Sequence, residues 1–248
     1  MIVWRLVLVM TAVAIPACGR RIDLGSDLVW SARHETGDLS EWAQGVGGSA
    51  ADPDTTVAIS ASFAHSGRYS VKLTNSTVGD VQGARLWHQG DFPEEAFYSV
   101  WYYLPQTYQT RVDWTILQFR TPTDDPATVS QFLDVDLRSL PGGELILSIY
   151  DHRPDYLRLP TADPALIVPV GRWFQIEVFY RRAPDDTGRF TLWLDGKLNY
   201  DVHRPMAADP TVYWTPCSVT GDLSPTQSEI YVDDAAISYD WLTPESLL

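Results

Sequence analysis

Gln118 and Arg120 stand two residues apart with Phe119 between them. Side chains alternate along an extended strand, so the two polar groups share one face. An amide beside a guanidinium can hold sugar hydroxyls, and the guanidinium can take a carboxylate through two parallel hydrogen bonds. An ordinary solvated strand face reads the same way. Asp134 and Asp136 repeat the spacing. Paired acids are what glycoside hydrolysis requires, but Arg138 stands where a second catalytic acid would be wanted. Trp101, Tyr103 and Trp114 are rings on which a pyranose can stack, or plain core, the commoner place for aromatics.

A second set of residues offers hard oxygens. Glu35 lies just before a Gly37 turn, the His65–Gly67 turn can present carbonyls, and Asp233 lies in the last strand-like run. Ca²⁺ takes six to eight such oxygens. Asp233 is preferred to Asp234 because Ala235 and Ile237 continue its face inward, where an unpaired carboxylate is costly. The plain alternative is that Glu35 is a solvated loop acid and the aspartates cap a strand end. The five histidines form no HxH or HxxxH pair, and no Ser-His-Asp order, GxSxG turn or phosphate-binding loop occurs.

These residues need a scaffold, and the pattern predicts strands. β-branched and aromatic runs recur at 56–62, 69–74, 97–104, 114–120, 131–138, 144–150, 173–181, 190–194 and 229–238. Gly, Pro, Asn and Asp separate them. Pro141-Gly142-Gly143 and Asp195-Gly196 have the chemistry of hairpin turns. No long segment repeats at 3.6 residues. Many closely spaced strands without helices predict an all-β, two-sheet antiparallel jelly-roll sandwich. The run Ser99–Leu104 is apolar on both faces. That predicts a sheet whose outer face is itself a groove.

The N-terminus predicts a location. Arg5 precedes an uncharged run from Leu6 to Ala17, too short to span a bilayer but suited to a secretory signal peptide over 1–17. Ile15-Pro16-Ala17-Cys18 resembles the bacterial lipobox, which implies lipidation of Cys18, a tether over 18–27 and an exported domain over 28–248. The alternative is a buried N-terminal strand with an incidental cysteine. Membrane contact is then expected through the lipid only, and Cys217, left alone, reads as a small buried hydrophobe. A net charge of −14 with no basic stripe argues against nucleic acid.

Phe97–Pro105 followed by Trp114–Phe119 resembles the jelly-roll polysaccharide lyases of the heparin-lyase-like and alginate-lyase-like kind. Gly171–Val178 and Trp193–Lys197 are similar to the GxW strand and next hairpin of concanavalin A-like and laminin-G-like sandwiches. Glu35–Trp42, His65–Val71 and Tyr231–Asp234 resemble three pieces of jelly-roll carbohydrate-binding modules that meet around a structural calcium; this implies Glu35 and Asp233 as ligands. Such lyases neutralise a uronate carboxylate with Gln, Asn or Arg, and move protons with groups such as His and Tyr. The resemblance implies Gln118 as a counterpart of their Gln-x-His strand, with Arg120 standing where that His would be. It aligns Gly83–Gln89 with their Arg-x-Glu-x-Arg strand, placing Arg85 in substrate binding and His88 in catalysis on the concave sheet, without the Glu. The stretch Val212–Leu223 lacks the Lys and Tyr of their closing strand.

Three functions follow. The first is an exported, lipid-anchored protein that binds a polysaccharide through Arg85, Gln118, Arg120, Trp101 and Trp114. The alternative is a polysaccharide lyase acting by β-elimination on a uronate-containing glycan, with His88 and Gln118 in its chemistry. The third is a structural envelope lipoprotein. The missing Lys, Tyr and Glu favour binding over lysis.

Overall fold

The computed structural model describes residues 27–77, 80–121, 132–152, 157–207 and 209–242. The predicted signal peptide, Cys18 and most of the tether lie outside them. No helix occurs among the described residues. The strands are β1 (Leu28–Ala32), β2 (Val46–Ala51), β3 (Thr55–Ser60), β4 (Ser70–Ser76), β5 (Gln82–Asp91), β6 (Glu95–Tyr103), β7 (Gln109–Thr110), β8 (Trp114–Arg120) and β9 (Phe132–Ser139). There follow β10 (Leu145–Asp151), β11 (Leu157–Arg158), β12 (Ile167–Val168), β13 (Trp173–Arg181), β14 (Arg189–Leu194), β15 (Lys197–His203), β16 (Thr211–Thr220), β17 (Leu223–Ser224) and β18 (Gln227–Ser238).

They form two large antiparallel sheets. The first runs β15-β14-β13-β6-β18-β4-β3, with β1 also on β18; the second runs β11-β10-β9-β8-β16-β5-β2, with β12 on β10. This is the expected jelly-roll sandwich. In each sheet a strand late in the chain, β18 or β16, sits between strands made much earlier.

Alternation builds the core. Tyr98, Val100 and Tyr102 of β6 face Leu117 and Phe119 of β8 and Leu133, Val135 and Leu137 of β9 across the interior, all buried. Each large apolar side chain taken fully from water contributes about 1.5–3 kcal/mol. The same alternation turns Thr115, Gln118, Asp134 and Asp136 outward on the second sheet. The Asp195-Gly196 turn joins β14 to β15 with φ of 50° and 72°, the doubly positive geometry of a two-residue hairpin loop.

Alternation fails at one place that matters. β18 carries a bulge between Asp233 and Ala236, with Asp234 at φ 41°. Asp233 therefore pairs with Trp101 and faces outward with Tyr231, while Ala235 and Ile237 face the core. The expected shared face of Asp233, Ala235 and Ile237 is corrected by that extra residue. Lower on the same outer face, Glu177 of β13 is buried beneath the segment after β18. Its Oε1 accepts from Leu242 N at 2.8 Å, and Gln175 Nε2 donates to its Oε2 at 3.2 Å and to Leu242 O at 2.9 Å. Burial pushes the Glu177 carboxyl up to about 8.

Candidate functional site

The outward face of the second sheet gathers the polar residues. Register places Gln89, Tyr213, Arg120 and Phe132 in one row across β5, β16, β8 and β9. The next row is Thr215, Gln118, Asp134, Tyr150 and Arg158 across β16, β8, β9, β10 and β11. A third holds Thr115, Asp136 and Ser148. Strands lie about 4.8 Å apart, so the middle row crosses roughly 19 Å of surface.

Within these rows the side chains are connected. Arg120 Nη2 donates to Gln118 Oε1 at 3.1 Å, and Gln118 Nε2 donates to Asp134 Oδ1 at 2.8 Å. Asp134 Oδ2 lies 2.8 Å from His152 Nε2. The Phe132 ring is held between two of these groups. Arg120 lies over it at 4.0 Å, and the His152 ring stacks on it at 4.1 Å. Tyr150 follows, 6.3 Å from His152 by ring centres. Thr115 Oγ1 donates to Asp136 Oδ1 at 2.8 Å. Trp87 and Tyr213, half-buried and 6.0 Å apart, supply aromatic faces on the β5–β16 side.

Two depressions open here. One of about 590 Å³ is lined by Thr115, Gln118, Arg120, Phe132 and Asp134, among others. Another of about 320 Å³ is lined by Asp113, Asp136, Tyr150 and His152, among others. Small-molecule sites begin near this size, so each has room for sugar rings.

Burial sets the charges. It pushes the Asp134 carboxyl up, opposed by the His152, Gln118 and Arg120 contacts. It raises Asp136 to about 7, against the Thr115 hydrogen bond and with the help of the Asp134 charge. Cys217 is fully buried beside these acids, its Sγ 3.6 Å from Thr115 O, and burial lifts its thiol well above the usual range. Such a thiol stays protonated and inert.

Gln118 and Arg120 thus lie together on the outer face, and Arg85 lies on it too, bound to Asp52 at 3.1 Å and to Gly83 O. His88 does not join them. Three residues from Arg85, it points to the opposite side of β5, into the core. There its ring stacks on Trp30 at 4.3 Å, and burial lowers it to about 4. Trp114 also faces the core and donates from Nε1 to Ser218 Oγ at 3.0 Å. Trp101 lies on the outer face of the other sheet, stacked at 3.6 Å on His65.

Sequence reasoning passed over His152, Tyr150, Trp87 and Tyr213. A signal was present for two of them. Ser148, Tyr150 and His152 recur at a spacing of two along β10 and its end, opposite Asp136 and Asp134.

The residues expected to hold calcium do converge, on the turn at 65–69. Glu35 accepts from Arg68 N at 2.9 Å and Tyr69 N at 3.1 Å. Asp233 Oδ2 accepts from His65 N at 2.8 Å, and its Oδ1 meets His34 Nδ1 at 3.1 Å and Asp234 N at 2.8 Å. Trp42 Nε1 donates to His34 Nε2 at 2.9 Å, which puts the His34 proton on Nδ1, facing Asp233. Among the described residues no group of three or more His, Cys, Asp or Glu side chains is placed to share a metal. Here the Glu35 and Asp233 carboxylates accept from backbone N–H groups of the turn, and Asp233 also meets His34.

A sequence model described as polysaccharide lyase matches residues 34–214. No curated protein sequence matches. Among solved structures, an endo-β-1,4-glucuronan lyase from the fungus Trichoderma reesei superposes with a TM-score of 0.62 at 16% identity, over 77% of this chain and 90% of that one. An alginate lyase from Aplysia kurodai gives 0.59 at 12% identity, over 88% and 99%. The cellulose induced protein Cip1 gives 0.56 at 19% identity, over 86% and 98%. At these identities the likeness is one of fold.

Proposed function

Because the chain belongs to the polysaccharide lyase family, we propose that it cleaves a uronate-containing glycan by β-elimination on the outer face of the second sheet. The observation that carries this reading is the continuous set of contacts Arg120–Gln118–Asp134–His152, with Tyr150 beside it. Arg120 and Gln118 hold the uronate carboxylate and stabilise the charge that spreads onto it as C5 loses its proton. Asp134 engages His152 Nε2 and orients the imidazole, which takes that proton at Nδ1. The C5–H electrons form the C4=C5 double bond, the C4–O bond breaks, and the Tyr150 hydroxyl protonates the leaving oxygen. A proton passed from His152 to Tyr150 restores the site.

The test is absorbance from the unsaturated product on a panel of uronate polysaccharides. Growth of the band is expected, and His152→Ala should abolish it while keeping retention on the immobilised glycan. Retention without the band in the wild type would replace the lyase by the second reading, a binding protein that uses the Trp87 and Tyr213 rings.

An exported, lipid-anchored location remains part of the proposal, supported by the leader and Cys18. Expressed with its leader in a bacterium, the protein should incorporate labelled fatty acid and Cys18→Ser should not. Labelling that survives this change would overturn it.

A further inference from the structure

Both described ends of the chain meet on the outer face of the first sheet, the side of the molecule opposite the candidate groove. β1 lies beside β18 with Leu28 opposite Ser238, and Tyr239 N donates to Asp27 O at 2.8 Å. The segment after β18 then crosses this face to β13, where Leu242 N meets Glu177. Leu28, Ala236 and Leu242 pack together there.

Beside this junction the face carries rings where a solvated sheet would carry polar groups. Trp241 stands edge-on to Trp193 at 4.3 Å and to Phe97 at 6.0 Å, and Phe97 packs on Phe179 at 5.1 Å. All four are only partly buried, and Leu198, paired with Trp193 across β14 and β15, is 43% exposed. The flanking arginines are each matched by an acid, Arg181 by Glu95 and Arg189 by Asp201. Tryptophan, with an apolar body and a polar N–H, is a side chain that collects at lipid–water interfaces.

The tether selects the occupant. Eight residues stand between Cys18 and Asp27. Nine steps of flexible chain reach about 17 Å on average and about 30 Å fully stretched. Strands lie about 4.8 Å apart, so Leu28 on β1 is roughly 10 Å from Phe97 on β6, across β18. A lipid on Cys18 therefore keeps its bilayer within reach of these rings at an effective concentration of about millimolar, where weak affinity is enough.

We propose that the outer face of the first sheet, around Trp193 and Trp241, rests on the lipid surface that holds Cys18, so that the groove of the second sheet points away from the membrane. This rests on the lipid-anchored reading and adds an orientation to it. A long glycan then meets the groove without obstruction from the bilayer.

The experiment uses the full chain, expressed with its leader in a bacterium with labelled fatty acid and placed in vesicles of phosphatidylethanolamine and phosphatidylglycerol. Cys217 is buried and an acylated Cys18 does not react, so one added cysteine takes a fluorophore. The label at Leu198→Cys should be shielded from iodide in the water. The label at Val46→Cys, on β2 of the second sheet and 54% exposed, should be quenched freely. Brominated acyl chains should quench part of the tryptophan emission, and Trp193→Phe with Trp241→Phe should remove that part. Equal iodide quenching at both labels on anchored protein overturns the proposal, as does bromine quenching that survives the double change. Shielding that disappears when vesicles carry a single chain each would put a second copy on the face and overturn it too. A chain that takes no fatty acid and does not stay with the vesicles would instead overturn the anchor reading beneath it.

Discussion

Removing the Arg120 guanidinium takes away a cation stacked on Phe132 and bonded to Gln118. Arg120→Ala should weaken glycan binding by about 1.5–3 kcal/mol, measured by calorimetry, with an unchanged circular dichroism spectrum. His88 gives the contrasting case. Packed on Trp30 in the core, it should cost stability and not chemistry: His88→Leu should leave turnover per folded molecule intact, and a loss to background would return His88 to the site. Asp136 supplies a pH dependence. Its carboxyl is raised to about 7, so above that pH it carries a negative charge beside Asp134. Affinity for a polyuronate should therefore fall as pH rises through about 7, and Asp136→Asn should flatten the fall. At this scale a spacing of two put Gln118 and Arg120 on one face, as the structure has them, and the resemblance put Arg85 on the same sheet. It misplaced His88 because a spacing of three puts a strand residue on the opposite side. It passed over His152 because that residue lies just beyond the strand that aims it.

Strands were more legible than side chains. β8 and β13 have the ends that alternation and turn residues predict, and Asp195-Gly196 forms its hairpin. Partner order was not legible, since it depends on contacts between distant segments. Nor was the β18 bulge, where Asp234 takes a positive φ and changes the side to which Asp233 points. That bulge presents Asp233 to the 65–69 turn. Asp233→Ala would leave His34 Nδ1 and His65 N without their acceptor in a buried place, at about 1–3 kcal/mol. A fall in melting temperature of roughly 2–12 °C should follow. Calcium added to chelated protein tests the metal expectation in the same instrument. A rise that Asp233→Ala abolishes would mean that the turn exchanges its N–H donors for carbonyls.

Across the whole molecule, two raised acids set how stability varies with pH. Glu177 is raised to about 8 and Asp136 to about 7, both above their unfolded values. These two groups therefore bind more protons in the native state than in the unfolded chain, and their contribution to stability falls as pH rises from about 4 through 8, opposed below about 6.5 by the depressed His88. Glu177→Gln keeps an acceptor for Leu242 N without the charge. Its melting temperature at pH 9 should exceed that of the wild type, and the gap should close by pH 5. A variant that melts lower at pH 9 would show that the ionised carboxylate is what holds Leu242.

The central places of β16 and β18 also set a schedule. Both strands leave the ribosome late, yet each joins two partners synthesised well before it: β5 and β8 for one, β4 and β6 for the other. Until β18 emerges, the first sheet consists of two halves with open edges and no seam between them. The chain must therefore wait through most of its own synthesis without a closed first sheet, and nascent chains stopped before residue 227 should remain protease-sensitive.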